Sequence, residues 1–379
     1  MTTRGDFVRL LGASVPLGVL EQGPPLADQR LDAALVLSGG GSRGAYEAGV
    51  IAALVDAGGV RDGQPLPGIN AVVGTSIGSL NGWFVATGQY GRLAQLWKAI
   101  AAEDLFALKR RFQPIVDSSS GLVTRVVDSL VLERGLFKNL KGLFDGDRVA
   151  RFVERNVALD APTILPFAFT VTNLSRQQAV VFYRAPAETG WHGRIETVLG
   201  HVGGGTLVAR EASGPVLAGA LRASTAIPVI FDPVEMTFDG VTAQYVDGGI
   251  ADNTPVDIAR ILARRVYTVL VDPPTQPTLS YTNVVEIGFA SFGVAQRRIL
   301  EAALRSASLE TEGKQLFGNS NGAAERAYLS DVYDSRLFII RPSNELPVTF
   351  ADFADQGNID ATYARGYADG RAGWLPYAR

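Results

Sequence analysis

Cysteine is absent from this 379-residue chain, and histidine and methionine occur only twice each. Without cysteine the chain forms no disulfide, and the redox state of its compartment stays open. Metal-ligating residues form no cluster in the sequence and no calcium-binding loop is present, so we predict no metal and no cofactor. No apolar run reaches the roughly 18 residues that span a bilayer. We therefore expect neither a disulfide-stabilised scaffold nor a membrane-spanning protein.

The net charge and the composition further limit the possible functions and the number of domains. The net charge is -3, which argues against general nucleic-acid binding. Charged residues and Pro16 interrupt the first 20 residues, unlike the apolar core of a signal peptide, so we expect a cytoplasmic location. With 47% hydrophobic residues the chain can bury a large core, and its length suits one large domain or two small ones.

A glycine-rich stretch follows the first apolar run of the chain. Ala33–Leu37 leads into Gly39–Gly44, which reads Gly-Gly-Gly-Ser-Arg-Gly, and Ala45–Leu54 then carries apolar residues at helical spacing. This order predicts a strand, a tight loop and a helix. Backbone N–H groups in such a loop lie at the positive end of the helix dipole, which favours an anion. That anion is either a permanent phosphate or a transient oxyanion.

A nucleotide phosphate is the first alternative, because Gly39, Gly41 and Gly44 fit the dinucleotide-binding fingerprint. That fingerprint also needs an acidic residue at the end of the next strand, where it binds a ribose hydroxyl. The next predicted strand, Ile69–Val73, is followed by Gly74–Gly78, which contains no acidic residue. No Lys-Ser or Lys-Thr pair follows the glycines either, so the stretch is not a P-loop. The residues favour an oxyanion.

The segment after the second predicted strand has the pattern of a nucleophile elbow. Gly74, Ser76 and Gly78 form a Gly-x-Ser-x-Gly motif between that strand and the predicted helix Ser79–Ala86. In such an elbow the central residue occupies a strained turn, and only very small residues fit two positions to either side. Ser76 is therefore the candidate nucleophile.

A serine nucleophile needs a base, and the two histidines are weak candidates for it. His192 and His201 both lie in glycine-rich stretches, where a histidine is more often solvated than catalytic. Both also precede the best acidic candidate, giving the order Ser, His, Asp, which none of the usual catalytic triads uses. The sequence therefore argues against a histidine-dependent triad.

Asp247 is the better candidate, because it ends a short apolar stretch and is followed by Gly248 and Gly249. Thr254-Pro255 then predicts a helix start. We expect Asp247 at the C-terminal end of a strand, at the sheet edge that also carries the glycine loop and Ser76. Open α/β sheets bind ligands at that edge. A carboxylate with an ordinary pKa near 4 is a weak base for a hydroxyl, so the site must compensate.

Together these motifs resemble those of the patatin-like phospholipases. That family combines a Gly-Gly-Gly-x-Arg-Gly oxyanion loop, a Gly-x-Ser-x-Gly elbow and an Asp-Gly-Gly or Asp-Gly-Ala motif, and all three occur here in that order. Phe169–Leu174 with Val180–Phe182 is similar to the family's hairpin, and Ala223–Pro228 is similar to its Ala-Ser-x-Ala-x-Pro block. The resemblance covers residues 31 to 272. Ser175-Arg176, at the hairpin turn, and Val229, where glycine is frequent, depart from the pattern.

The resemblance implies a three-layer α/β fold in which helices flank a central, mostly parallel sheet. It also implies hydrolysis of phospholipid or related acyl esters through an acyl-enzyme, with a Ser76–Asp247 dyad and no histidine. The implied oxyanion hole comprises Gly39, Gly40, Gly41, Arg43 and Gly44, and the motif glycines are Gly74, Gly78, Gly248 and Gly249. Arg43 either meets a lipid phosphate or holds the shape of the loop. A general carboxylesterase or thioesterase with the same dyad, and a non-catalytic lipid-binding module, remain alternatives.

Three further regions surround the expected phospholipase domain of residues 31–272. Residues 1–30 form an N-terminal extension, and residues 273–379 form a mostly helical C-terminal segment that packs on the core. A helical insertion at about 83–155 contains the basic run Lys109–Arg111. Its aromatic and apolar residues include Trp83, Phe84, Trp97, Leu105, Phe106 and Phe112. This insertion is a cap over the acyl pocket, a membrane-contacting surface, or packed core with a solvated basic face. The sequence leaves the oligomeric state open.

Overall fold

The computed structural model describes residues 30–100, 144, 146–186, 208–275, 284–317, 336–348, 353 and 355–377. Residues 1–29, most of the predicted insertion and the segment 187–207 lie outside the described residues. The basic run Lys109–Arg111 with Leu105, Phe106 and Phe112, and both histidines, His192 and His201, fall in those parts of the chain.

Ten strands of the described chain form one sheet. They are β1 (Leu31–Leu37), β2 (Ala71–Thr75), β3 (Phe167–Asn173), β4 (Gln178–Arg184), β5 (Val208–Glu211), β6 (Val234–Phe238), β7 (Val241–Asp247), β8 (Ala263–Val269), β9 (Arg336–Ile340) and β10 (Leu375–Pro376). Their order is β10-β9-β8-β1-β2-β3-β4-β5, and β7 pairs with both β3 and β6. The neighbouring strands β9, β8, β1, β2 and β3 run parallel to one another.

Helices cover both faces of this sheet. They are α1 (Gly44–Gly58), α2 (Ile77–Ala86), α3 (Tyr90–Ala99), α4 (Gly146–Asn156), α5 (Pro215–Ser224), α6 (Gly249–Asp252), α7 (Val256–Leu262), α8 (Val284–Phe317) and α9 (Gln356–Ala372). Leu35 and Leu37 of β1 belong to the hydrophobic cluster that contains α1, α2, α3 and α9. Ala34 and Val36 belong to the cluster that contains α7 and α8. Alternate side chains of one strand thus contact opposite layers, and the predicted mostly parallel α/β fold is confirmed.

Several predicted elements agree with the structure, and one begins later than predicted. The hairpin of β3 and β4 is present, with Thr170 opposite Val181. The second strand begins at Ala71 instead of Ile69, because the Ile69 N–H donates to the Leu66 carbonyl in a turn. Trp83, Phe84 and Trp97, which the sequence assigned either to a cap or to packed core, are buried in the core.

Asp247 ends β7 and lies beside Ser76, as the sequence predicted. The direction of β7 differs from that of the parallel strands, because β7 runs antiparallel to β3, with Asp247 opposite Val171. Asp239 and Gly240 join β6 to β7 with φ angles of 54° and 74°. Two positive φ angles are typical of a tight hairpin turn, which reverses the chain. Asp247 therefore reaches the site from beyond the sheet edge, against the direction of β2.

The crossing of α1 and α9 depends on glycine. A Cβ atom on Gly366 of α9 would overlap the carbonyl oxygen of Tyr46, and one on Gly49 of α1 would overlap the carbonyl oxygen of Tyr363. Backbone atoms cannot give way as a flexible side chain can, so a side chain at either position would force the helices apart.

We expect Gly366→Ala to lower the free energy of unfolding by about 3 kcal/mol, because overpacking a buried contact costs about this much. Denaturant unfolding measures the change. The matched control is Gly293→Ala on α8, where an added Cβ would have no neighbour within 4 Å. This control should be neutral or stabilising. Equal stability of both variants would contradict the proposed close packing.

Candidate active site

Ser76 occupies a strained turn between β2 and α2. Its φ is 53° and its ψ is -125°, a backbone conformation that a residue with a Cβ rarely adopts. A Cβ on Gly74 would overlap the carbonyl oxygen of Gly78, and a Cβ on Gly78 would lie 2.5 Å from the carbonyl oxygen of Leu37. The backbones before and after Ser76 thus approach each other and β1 so closely that only glycine fits. This is the geometry of a nucleophile elbow.

The hydroxyl of Ser76 points at the carboxylate of Asp247. Ser76 Oγ donates a hydrogen bond of 2.6 Å to Asp247 Oδ2, and Ser76 and Asp247 are 5% and 3% exposed. The second carboxylate oxygen, Oδ1, accepts the N–H of Gly249 at 2.7 Å. The Asp247 backbone is held as well, because its N–H donates to Ala226 and its carbonyl accepts the hydroxyl of Thr172. Both oxygens of the carboxylate therefore have fixed directions.

The two glycines after Asp247 allow this arrangement. A Cβ on Gly248 would overlap the carbonyl oxygen of Thr170 on β3, and a Cβ on Gly249 would lie 2.9 Å from Asp247 Oδ1. The Nε2 group of Gln296, on α8, donates to the carbonyl of Gly249 at 3.1 Å. A side chain at either glycine would displace the carboxylate from Ser76.

Burial changes the basicity of Asp247. Loss of solvent raises the pKa of Asp247 to about 7, although the hydrogen bonds from Ser76 and Gly249 favour the charged form and oppose the increase. A base is most effective when its pKa is near the working pH. The buried site thus supplies the compensation that an aspartate with a pKa near 4 needs.

The glycine loop lies beside the elbow. A Cβ on Gly39 would lie 3.2 Å from the Cβ of Ser76, and one on Gly44 would lie 2.5 Å from Cγ1 of Ile77. Residues Gly41–Arg43 form a single 3-10 turn that leads into α1, with Gly41 at a φ of 58°. The sequence-predicted loop, Ser76 and Asp247 are therefore brought together.

Three N–H groups of this loop already have acceptors. The N–H of Gly39 donates to the carbonyl of Asn253 at 2.8 Å, and the N–H of Arg43 donates to the carbonyl of Gly40 at 3.2 Å. The N–H of Gly44 is bonded within the 3-10 turn. In the part of the chain that the structure describes, the N–H groups of Gly40 and Gly41 have no hydrogen-bond partner. They are the loop's free donors.

The guanidinium of Arg43 faces a carboxylate and does not extend freely into solvent. Arg43 Nη1 lies 2.6 Å from Oδ1 of Asp272, which follows β8. The carbonyl of Asp272 accepts two hydrogen bonds from the guanidinium of Arg341, at 3.2 and 2.9 Å. Of the two roles that the sequence left open for Arg43, this contact favours holding the shape of the loop.

Two residues near the dyad were not identified as site residues from the sequence. The N–H of Ser76 donates to Oγ of Ser224 at 3.0 Å, and this hydroxyl donates to the carbonyl of Thr170 at 2.8 Å. Asn253 bonds Gly39 twice, because its Nδ2 also donates to the Gly39 carbonyl at 3.1 Å. The Ala-Ser-x-Ala-x-Pro block was a signal for Ser224, whereas no pattern singled out Asn253.

Val229, a departure from the family pattern, has an unusual backbone. Its φ is 71° and its side chain is 55% exposed. A β-branched residue in the left-handed region is a genuine outlier. This conformation explains why glycine is the frequent residue at this position, which lies three residues after Ala226, the acceptor of the Asp247 N–H.

The described ranges contain neither a candidate metal site nor a candidate membrane span. No group of three or more histidine, cysteine, aspartate or glutamate side chains there could hold a metal ion. Likewise, none of the helices of Leu31–Tyr377 that the structure describes is long and apolar enough to cross a membrane.

Comparisons with known proteins identify the family of the chain. The family model for patatin-like phospholipase matches residues 35–260, which is more than half of the chain. Among solved structures, VipD from Legionella pneumophila is 14% identical over 92% of this chain and 68% of that chain, with a TM-score of 0.39. No curated protein matches the chain significantly. The chain belongs to the patatin-like phospholipase family, whose members are hydrolases that act on ester bonds of lipids.

Proposed function

We propose that this protein hydrolyses acyl esters of phospholipids or related lipids, with Ser76 as nucleophile and Asp247 as base. The observation that carries the proposal is the 2.6 Å hydrogen bond from Ser76 Oγ to Asp247 Oδ2 in a buried site. The unpaired N–H groups of Gly40 and Gly41 beside the elbow support it. Intact dyad geometry also argues against the alternative of a non-catalytic lipid-binding module.

The reaction has two halves that use the same groups. Ser76 Oγ attacks the ester carbonyl carbon while Asp247 accepts the hydroxyl proton, and the proton then passes to the leaving alcohol. The product is an acyl-enzyme on Ser76. Water then attacks the acyl carbon, Asp247 accepts a proton from the water, and Ser76 Oγ regains a proton as the fatty acid leaves.

The oxyanion of each tetrahedral intermediate needs donors on the side opposite Asp247. We assign this role to the N–H groups of Gly40 and Gly41, because those of Gly39, Arg43 and Gly44 are already bonded. The N-termini of α1 and α2 both lie at this point, so their dipoles favour negative charge there. One such donor is worth about 3 to 4 kcal/mol in serine hydrolases.

Lipid turnover tests the proposal. The protein and its Ser76→Ala variant are incubated with a mixed lipid extract, and released fatty acids and consumed lipids are identified by mass spectrometry. We expect phospholipid species to disappear only with the unaltered protein. Release from short esters or thioesters alone would instead support the general esterase or thioesterase alternative, and no release from any ester would support a binding module.

The raised pKa of Asp247 predicts an acid limb in the pH profile. Asp247 acts as a base only when it is ionised, so kcat/KM should increase as pH rises through about 7 and then level off. A water-soluble ester between pH 5 and 9 is suitable for the measurement. A limb near pH 4 would contradict burial of the ionising base.

A matched control separates Asp247 from its neighbour Asp252. Burial, with a contribution from Asp257, also raises the pKa of Asp252 to about 7. The carboxylate of Asp252 accepts the N–H of Thr254, and Ser76 Oγ donates to Asp247 and not to Asp252. The acid limb should therefore remain in Asp252→Asn, and its loss in that variant would assign the limb to Asp252.

A lipid substrate also requires contact with a membrane surface. We propose that the basic run Lys109–Arg111, with the neighbouring Leu105, Phe106 and Phe112, makes this peripheral contact. The support is the sequence pattern, in which cations that attract anionic head groups stand beside apolar side chains that suit the acyl boundary.

A further inference from the structure

A buried carboxyl group lies behind the glycine loop and takes no part in the proposed chemistry. Glu47, in the first turns of α1, is 0% exposed. Its Oε1 accepts the backbone N–H of Ser38 at 2.6 Å, and its Oε2 accepts Nδ2 of Asn81 at 3.0 Å. Glutamate is almost never fully buried without a partner, so its position here needs an explanation.

Asn81 is held in one orientation. Its Oδ1 accepts the indole N–H of Trp97 at 2.9 Å, and an indole nitrogen can only donate. The Asn81 NH2 group must therefore face Glu47, and it also donates to the carbonyl of Gly44 at 3.0 Å. Oδ1 and Nδ2 of the amide thus both have partners.

These contacts join the glycine loop to the helix of the nucleophile. Ser38 immediately precedes Gly39, and Gly44 ends the loop, so Glu47 and Asn81 hold both of its ends. Asn81 itself lies on α2, which begins directly after Ser76. The hydroxyl of Ser38 donates to the carbonyl of Val269 on β8 at 2.8 Å, which anchors the same end to the sheet.

Stability alone does not explain this network. No lysine or arginine of the described chain forms an ion pair with Glu47, and burial raises the pKa of Glu47 to about 8. A buried carboxyl group without a cationic partner is costly even when it is hydrogen-bonded, and well-packed apolar residues often stabilise a core at least as well as buried polar groups do. The network's remaining effect is geometric, because it fixes the loop relative to α2.

We propose that Glu47 is a positioning residue, which acts through Ser38 and Asn81 to set where the N–H groups of Gly40 and Gly41 lie relative to Ser76 Oγ. This inference rests on the proposed function, since it assigns those two N–H groups to the oxyanion. Without the Glu47 side chain, the N–H of Ser38 and the amide of Asn81 lose a buried partner, and the loop can shift from the elbow.

The test compares Glu47→Ala with Ile51→Ala, a control one turn along α1. Ile51 is also buried, at 1% exposure, but belongs to the apolar core. With a water-soluble ester, Glu47→Ala should lower kcat by about 10- to 100-fold with KM within about threefold, because small misplacements cost up to about 100-fold in rate. Ile51→Ala should lower the melting temperature and leave kcat within about threefold.

Two further measurements keep the test decisive. Asn81→Ala should lose kcat to a similar extent, and the Glu47→Ala/Asn81→Ala double variant should lose little more, because residues that act as a unit are not additive. Amide hydrogen exchange in residues 38–44 should accelerate in Glu47→Ala and not in Ile51→Ala. Hydrogen exchange reports on the position of the loop without requiring catalysis. If Glu47→Ala does not fold, Glu47→Gln is measured in its place.

Two results would overturn the inference. One is a folded Glu47→Ala or Asn81→Ala variant with near-normal kcat and unchanged exchange. The other is an Ile51→Ala variant that loses as much kcat as Glu47→Ala. If the unaltered protein and Ser76→Ala are equally inactive, the proposed function fails instead, and faster exchange would still show that Glu47 holds the loop.

Discussion

Asp247→Asn is expected to lower turnover by about a thousandfold or more, the scale seen when a member of a catalytic serine site is lost. Asparagine keeps the shape of the side chain, but its single oxygen can accept from only one of the two donors, Ser76 Oγ and the Gly249 N–H, and the amide cannot take the hydroxyl proton. The variant should therefore remain folded while the chemical step fails. Steady-state kinetics on a water-soluble ester, with circular dichroism to verify folding, measures the effect.

The two histidines provide the matched control. If Asp247 is the base, replacing His192 and His201 together with glutamine should leave turnover within a few-fold. A thousandfold loss of turnover in a folded double variant would indicate that a histidine-dependent triad catalyses the reaction. Near-normal turnover of Asp247→Asn would equally contradict the assignment of the base.

Gly40→Ala is expected to lower kcat by about 100- to 1000-fold, the range for loss of one oxyanion donor. A Cβ on Gly40 would lie 2.8 Å from Cγ2 of Val271 and 3.4 Å from the Cβ of Arg43. The first distance is too short for a non-bonded contact, so either the Val271 side chain or the loop must shift, and a shift of the loop turns its N–H groups away from the oxyanion. Kinetics on the same soluble ester measures the loss, and thermal unfolding shows whether the protein remains folded.

A second substitution tests the steric cause. Val271→Ala removes the methyl group nearest to the added Cβ, so the Gly40→Ala/Val271→Ala double variant should recover part of the lost kcat. If Gly40→Ala alone is folded and almost fully active, the glycine serves only packing, and Gly40 does not supply an oxyanion donor.

Local sequence patterns predicted the parts of the site whose structure depends on residues close together in sequence. The strand, glycine turn and helix around Gly39–Gly44, and the elbow at Ser76, are each specified within about ten residues, by apolar spacing and by glycines that permit close backbone approach. The hairpin of β3 and β4 is equally local. These elements were therefore predictable without knowledge of the fold.

Features that arise from long-range contacts were not predictable in this way. The Asp239-Gly240 turn reverses β7, and the pairing of β7 with β3 determines how Asp247 reaches the site. The increased pKa of Asp247 results from burial by segments distant in sequence. Glu47 is an ordinary helical glutamate by sequence, and such residues are mostly exposed, so its contact with Asn81 has no local signal.

Fluorophosphonate labelling identifies which serine is activated. A fluorophosphonate reacts with a serine whose hydroxyl is positioned beside a base and an oxyanion hole, and peptide mapping locates the adduct. We expect labelling of Ser76 alone, with labelling abolished in Asp247→Asn. Labelling of Ser42 or Ser79, or unchanged labelling of Ser76 in Asp247→Asn, would contradict it.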